Sequence, residues 1–285
     1  MTTTDAFTAK AREARRLALL AIHTAGSGHP GGVLSCTDLL VGLYAQLRCD
    51  PADHCWPQRD RLVLSKGHSA PALYAVAALS GLMPIDNLKG FRKLNQPLQG
   101  HPHVGATPWV ETSTGSLGQG FSAALGMALG LRHQGNPARV FVLLGDGELQ
   151  EGEFWEAMLC AAHYRLGNLC AILDYNKLQS DDYLATVLAV EPLADKIRSF
   201  GWQLQEIDGH DPAAIRGALE TAGRSEAPSF IIAHTLKGKG VGYMEGKPEW
   251  HGSVKLSDAD LVRALTDLGA SPSEIDGYLN GHWAD

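Results

Sequence analysis

Apolar positions recur along this chain with two different periods. Uninterrupted runs at Val140–Leu144, Leu169–Leu173 and Phe230–Ala233, each bounded by turn-forming residues, predict strands buried on both faces. Shorter runs at Arg61–Ser65 and Trp202–Ile207 predict two more strands. Between the runs the spacing changes to three and four. Residues 5–25 predict a helix with Phe7, Ala14, Leu17 and Ala21 on one face and charges opposite. A second apolar helix is expected from a Ser35 cap to about Leu47, and others over Pro71–Leu82, Phe121–His133 and Leu193–Phe200. Asp211-Pro212 opens a helix to Ala222, Ser257 opens another, and Ser271-Pro272-Ser273-Glu274 is a capping box for the last. Strands alternating with helices predict an α/β fold, a three-layer sandwich around a mostly parallel central sheet. No repeat, low-complexity tract or linker breaks the pattern, so residues 1–285 read as a single domain.

The unit at 140–179 carries the clearest chemistry. The strand Val140–Leu144 runs into Gly145-Asp146-Gly147, where two glycines permit a sharp turn and close approach to a ligand. Phe154, Met158, Leu159, Ala162 and Leu166 mark a helix, and the strand Leu169–Leu173 closes on Asp174-Tyr175-Asn176. A right-handed crossover brings both strand tips to the same sheet edge, where open α/β sheets bind ligands. Asp146, Asn176 and the main-chain carbonyl of Leu178 then form a half-shell of oxygens suited to Mg²⁺. Taken singly, each has a commoner reading, the Asp as a turn residue and the Asn as an Asx-type strand terminus; together, at this spacing, they point to the ligand set.

Composition narrows the partners. Hydrophobic residues make up 45% and charged residues 19%, ordinary for a protein with a sizeable core. A net charge of −7 and a pI near 5.9 argue against a general nucleic-acid binder, so a polyanionic ligand needs a local cationic pocket. Met1–Lys10 is polar, the next apolar stretch is broken by Arg12, Arg15 and Arg16, and no run is long enough to span a bilayer. The five cysteines show no framework spacing, with Cys160 and Cys170 placed as small buried residues. Cys49, His54 and Cys55 read as a loop around Pro51 rather than a zinc site. A reducing cytoplasm is the expected compartment.

The remaining loops display histidine and lysine among glycines. His29 sits in Gly26–Gly32, and Lys66-Gly67-His68-Ser69 joins a strand to a helix. His101 and His103 lie in the irregular stretch 97–108. Ser113–Gly120 precedes a helix, but its G-x-x-G-x-G spacing is not a dinucleotide fingerprint. Ser180-Asp181-Asp182 opens a polar surface loop. Lys237 and Lys239 occupy a glycine loop after the strand Phe230–Ala233, placed to suit a diphosphate, and His251 lies in Glu249-Trp250-His251-Gly252.

In order along the chain, SGHPGG, DRLVLSKGHSAPALY, GHP, STGSLGQG, GDGELQEGEFWEAM, ILDYNKLQ, HTLKGKG and EWHG resemble transketolase, specifically its N-terminal, diphosphate-binding domain. The unit from Gly145 to Asn176 is similar to the thiamine diphosphate motif. The resemblance implies the thiamine diphosphate-binding fold, with Asp146, Asn176 and the Leu178 carbonyl holding Mg²⁺ (or Ca²⁺ as a substitute) against the cofactor's diphosphate. It implies that Gly145, Gly147, His68, Lys237 and His251 contact the cofactor, with Gly115, Ser116 and Leu117 near its rings. His29, His68, His101 and His251 would line the substrate channel, where imidazoles can donate to an oxyanion and take a proton. Glu151 and Glu156 resemble carboxylates at the family's subunit interface, although acidic residues in a helix's first turn are common on dipole grounds alone.

The family activates its cofactor with a glutamate from a later pyrimidine domain, and grips sugar phosphate with arginines from the same region. Nothing after Asp258 reads as a strand followed by a displayed glutamate. The expectation is therefore the N-terminal subunit of a two-chain transketolase, its pyrimidine and C-terminal domains on a separate chain, assembled as a heterotetramer of two of each. It would move a two-carbon ketol unit from a ketose, such as a sugar phosphate of pentose phosphate metabolism, to an aldose. Alternatives are a split enzyme acting on an unusual sugar or secondary metabolite, and a non-catalytic subunit keeping the fold.

Overall fold

The computed structural model describes residues 3–180 and 182–283. Five strands, β1 (Arg61–Leu64), β2 (Val140–Gly145), β3 (Leu169–Tyr175), β4 (Gln203–Asp208) and β5 (Ser229–His234), pair in the order β1-β2-β3-β5-β4. Every pairing is parallel. Phe141, Leu143, Cys170, Ile172, Ile231 and Ala233 enter one core, while the alternate residues Val142, Leu144, Ala171, Leu173, Phe230 and Ile232 enter the other. Both faces are covered, so the strands read as unbroken apolar runs.

Helices α1 (Thr3–Ala25), α2 (Pro30–Gln46) and α3 (Ala70–Leu79) cover the first face. Helices α4 (Gln119–His133), α5 (Gly152–His163), α6 (Leu184–Leu188) and α7 (Leu193–Ser199) contribute to the second. Helices α8 (Pro212–Ala222), α9 (Asp258–Asp267) and α10 (Pro272–Leu279) return to the first. The return follows from topology: β5 inserts between β3 and the edge strand β4, so the chain reverses direction across the sheet. A right-handed crossover in the reverse direction must place α8 on the opposite face. Among the described residues no helix is long and apolar enough to cross a membrane.

Several expectations are corrected. Helix α2 starts at Pro30, whose fixed φ suits a first turn, so Ser35 is an interior residue. Its hydroxyl donates to Asp174 (2.6 Å) in the neighbouring strand instead of capping. Arg15 and Arg16 are not on a solvent face, because α1 is covered on both sides. Arg15 forks onto Asp38 through Nη1 (3.1 Å) and Nη2 (2.5 Å), and Arg16 donates to the Leu268 carbonyl and to Glu274. Paired guanidinium forks are what make such burial tolerable. On α5 the buried face is Phe154, Ala157, Met158 and Ala161. Leu159 is 63% exposed, Leu166 lies past the helix, and Cys160 is only half-buried. Of the polar loop after Asn176, Asp181 lies outside the described residues. The Asp211 cap and the Ser271 capping box form as expected, and Ser257, expected only to open its helix, makes a capping box with Asp260.

Candidate active site

Parallel register sets Gly145 opposite Asp174 and Tyr175 opposite His234, so the tips of β2, β3 and β5 reach the same edge. A cavity of about 440 Å³ opens there, within the range of small-ligand sites. Its wall includes His29, His68, His101, Gly115, Leu117, Gly145, Asp146, Gly147, Glu151, Asn176, Leu178, Lys237 and His251. Residues more than 200 positions apart therefore meet as the loop motifs anticipated. Two do not join this wall: Ser116 is exposed beside it, and Glu156 is exposed on α5. Lys239 also points away, into a separate cavity with Arg12, Arg15 and His210.

The oxygen set is built from two adjoining turns. Asp146 is 3% exposed and accepts from the Gly147 N–H (2.9 Å) and the Lys177 N–H. Asn176 donates through Nδ2 to Asp174 (3.3 Å), and its Oδ1 accepts from the Leu178 N–H (3.1 Å). Lys177 adopts a left-handed φ of 65° between them. The Leu178 carbonyl accepts from the Lys237 ammonium at 2.8 Å, so a cation already stands against this oxygen. Burial pushes the Asp146 carboxyl up and the Lys237 ammonium down from their ordinary values. An all-oxygen set that receives a cation fits Mg²⁺, and the adjacent lysine fits the phosphate such an ion brings.

Glycines make the room beside it. Gly115 has φ 147°, and a side chain there would stand 3.0 Å from the His101 ring. A side chain at Gly31 would meet the Trp250 carbonyl at 2.8 Å, and one at Gly32 would approach His68 and Lys66 at 3.5 Å. These absences let the start of α2 pass close to the histidines.

His29, His68 and His251 form a triangle with ring centroids 5.3, 5.3 and 6.3 Å apart. Burial lowers all three, helped by neighbouring cations: His29 to about 4, His251 to about 3, and His68 well below its usual value. His101 is lowered too, by burial and then Arg92. Neutral imidazoles can each accept a proton, and His29 Nδ1 is buried with no partner of its own. The same shifts carry a stability signature. The unfolded chain takes up protons near pH 6.5 while these histidines resist until lower pH, so folding weakens as pH falls across that window. The melting temperature of the chain is expected to drop from pH 6.5 towards pH 4, with a shallower slope in His29→Asn and His251→Asn. An identical slope in both variants would show that other groups set it.

Three buried ionisable groups in the site had no role in the sequence-based picture. Lys66 and Asp174 form an ion pair, 1% and 0% exposed, and Lys66 also donates to the Gly32 carbonyl (3.1 Å). Glu148, 1% exposed, accepts from the Gly118 N–H (2.8 Å), the Gly145 N–H (3.1 Å) and the Ser65 hydroxyl. It thereby joins the glycine loop before α4 to the tips of β1 and β2. The available signal was its place in Gly-Asp-Gly-Glu, which an ordinary first-turn acid shares.

Comparison with known proteins bears on this geometry. Residues 7–276 match the family described as transketolase, thiamine diphosphate binding domain. The chain is 45% identical over 256 residues to the 6-deoxy-6-sulfo-D-fructose transketolase subunit SqwG of Clostridium sp. (strain MSTE9), covering 89% of this chain and 93% of that one. It is 39% identical to an apulose-4-phosphate transketolase subunit of Actinobacillus succinogenes, covering 89% and 92%. The transketolase of Sinorhizobium medicae is 38% identical, and the match covers 95% of this chain but 40% of that protein. Among solved structures, the transketolase of Campylobacter jejuni superposes with a TM-score of 0.89 at 31% identity, over 99% of this chain and 47% of that one. The chain belongs to the transketolase family and carries its thiamine diphosphate-binding domain.

Proposed function

We propose that this chain is the diphosphate-binding subunit of a two-chain transketolase that transfers a two-carbon ketol unit from a ketose to an aldose. The observation that carries the reading is the convergence of the oxygen set, the buried Lys237 and the neutral histidine triangle on a single cavity. Asp146, Asn176 and the Leu178 carbonyl hold Mg²⁺. Lys237, His68, His251 and the Gly147 backbone receive the diphosphate, and Gly115 and Leu117 border the rings. Bound thiamine diphosphate supplies the carbon nucleophile and the electron sink needed to break the bond beside a ketose carbonyl. His29 takes up or returns the proton of the sugar hydroxyl next to that bond, and His101 orients the hydroxyls. With Lys237 donating to His251 Nδ1, that ring carries its proton on Nε2 and presents a donor to a developing oxyanion.

Among the described residues, the carboxylates on the cavity wall are Asp146, Glu148 and Glu151, of which the first two are occupied by backbone donors. As in the family this chain resembles, the carboxylate for the cofactor's pyrimidine would come from a partner chain, near Glu151 and Glu156. Relatives named as subunits and matched over nearly their whole length support that division. Their names also favour an unusual sugar, sulfonated or branched, as the ketose. A non-catalytic role is disfavoured because every residue proposed for the metal and the diphosphate lines the same cavity.

Purification of the chain from its native cells with Mg²⁺ and thiamine diphosphate tests the proposal. A companion with a pyrimidine-type domain, identified by mass spectrometry, and ketol transfer by the pair alone are the expected result. A solitary chain that exchanges the cofactor's C2 proton unaided would overturn the two-chain assignment.

A further inference from the structure

We propose that Arg92 is the positioning residue of the histidine channel, its guanidinium tying together the three loops that carry His29, His101 and His251. The inference rests on the reading that these histidines face the substrate. Arg92 follows a 3₁₀ turn (Ile85–Gly90) and the fully buried Phe91. Its φ is 57°, a region unfavourable for a residue with a side chain, and its N–H donates to the Leu98 carbonyl (2.9 Å). Such a conformation persists where surrounding contacts determine it.

The contacts are specific. Nη1 donates to Ser27 Oγ at 2.7 Å and to Ser253 Oγ at 3.3 Å. Ser27 lies two residues before His29, and Ser253 two after His251. Those loops are already joined by a pair of backbone bonds, Gly28 N–H to Val254 O (3.1 Å) and Val254 N–H to Gly28 O (2.8 Å). The Arg92 side chain also crosses Gly100, the residue before His101. A side chain at Gly100 would come within 2.7 Å of Nε and 3.2 Å of Cζ. Nε itself is buried without a partner. Among the described residues Arg92 has no carboxylate in ion-pair range, so it is not a surface salt bridge. It is a guanidinium whose Nη1 is spent on two serine hydroxyls while its side chain lies against a glycine.

The charge has a second consequence. Arg92 helps hold His29 and His101 in the neutral form. The other charged or titratable groups facing His29 are His101, Lys237, His68 and His251.

Arg92→Gln, Arg92→Lys and the double variant Ser27→Ala/Ser253→Ala, reconstituted with the companion chain, test this. Misplacement of a reacting group by about 1 Å costs up to about 100-fold in rate. In Arg92→Gln, kcat/KM for sugar is expected to fall about 10–100-fold while thiamine diphosphate and Mg²⁺ affinities stay within about twofold. Arg92→Lys should share that loss, because its ammonium reaches only about as far as Cζ, one bond short of the nitrogen that touches both serines, and places no planar group across Gly100. Histidine-selective NMR titration of the chain without its companion separates the clamp from the reaction. There Arg92→Gln should raise the His29 and His101 midpoints, Arg92→Lys should leave them nearly in place, and the serine variant should disturb the ring shifts while keeping the charge. Those NMR results would stand even if the assembled enzyme proved to catalyse something other than ketol transfer. Unmoved midpoints with unchanged kcat/KM in Arg92→Gln would overturn the proposal. So would an equal loss of cofactor affinity in all three variants, which would indicate general loosening.

Discussion

Replacing Asp146 by asparagine is expected to remove Mn²⁺ or Mg²⁺ binding by on the order of 100-fold or more, and turnover of the assembled enzyme with it, while leaving the fold intact. The two effects separate because the carboxylate has two tasks. Structurally, it accepts N–H bonds from Gly147 and Lys177 and so ties the β2 tip to the turn after β3. An amide fills the same space and its oxygen serves one of those donors, while its NH2 faces the other. Electrostatically, a carboxylate that is 3% exposed is disfavoured by burial and by the nearby Asp174, which is why its pKa is raised. Its charge becomes useful when a divalent cation arrives. The relieved charge and the lost N–H acceptor oppose one another, so Asp146→Asn should show a melting temperature close to that of the parent chain at pH 7, with no further rise on adding Mn²⁺ and thiamine diphosphate. Asp146→Ala, which abandons both N–H donors, should lose stability as well as metal. Retained turnover of Asp146→Asn at saturating Mg²⁺ and cofactor would move the metal elsewhere.

Local periodicity and the order of loop motifs were enough to anticipate the layered sheet and most of the cavity wall. The Gly145 to Asn176 unit is readable because its strands, turn glycines and polar tips are contiguous, so sequence distance stands in for spatial distance. The histidines are readable because glycine-rich loops offer them no structural purpose. What escaped depends on contacts between distant segments. Asp174 looks like the polar end of an apolar strand, and only the fold shows that Ser35, Lys66 and Thr235 surround it. Lys66 resembles a displayed loop lysine but is buried. Arg15 and Arg16 resemble the wet side of an amphipathic helix, and become interior once α2, α9 and α10 close over them. Lys237 and Lys239 share a glycine loop, yet the left-handed Gly238 between them (φ 78°) accompanies a divergence that sends them to different cavities. Arg92 carries no motif, since its partners are serines 65 and 161 positions away.

The other large effect lies beneath the site. Asp174→Ala is expected to destabilise the chain by about 3–5 kcal/mol at pH 7, the usual result of leaving a buried charge without its counter-ion. Asp174 is fully buried in β3 and accepts from Ser35 Oγ (2.6 Å), Lys66 Nζ, Thr235 Oγ1 and Asn176 Nδ2 (3.3 Å). Burial alone would raise its pKa, but the Lys66 ammonium and these hydroxyl donors outweigh that and hold it below the ordinary carboxylate range. Because the folded value is depressed, this stabilisation is present above about pH 4 and is lost as pH falls through the folded value. Removing the carboxylate leaves Lys66, among the described residues, with the Gly32 carbonyl alone as its hydrogen-bond partner. Lys66→Met together with Asp174→Leu removes both charges and replaces them with packing, so urea unfolding should show the double variant losing much less than the sum of the single changes. The site should suffer even where the fold survives. Asp174 and Ser35 hold the Asn176 amide nitrogen, which leaves Oδ1 on the side of the Leu178 turn. Without Asp174 the amide is free to rotate, and metal affinity should fall in the well-folded double variant by about 10–100-fold, the range seen when an outer partner of a ligand is removed. Strictly additive stability losses, with metal affinity unchanged, would reduce the pair to two independent buried residues unconnected to the oxygen set.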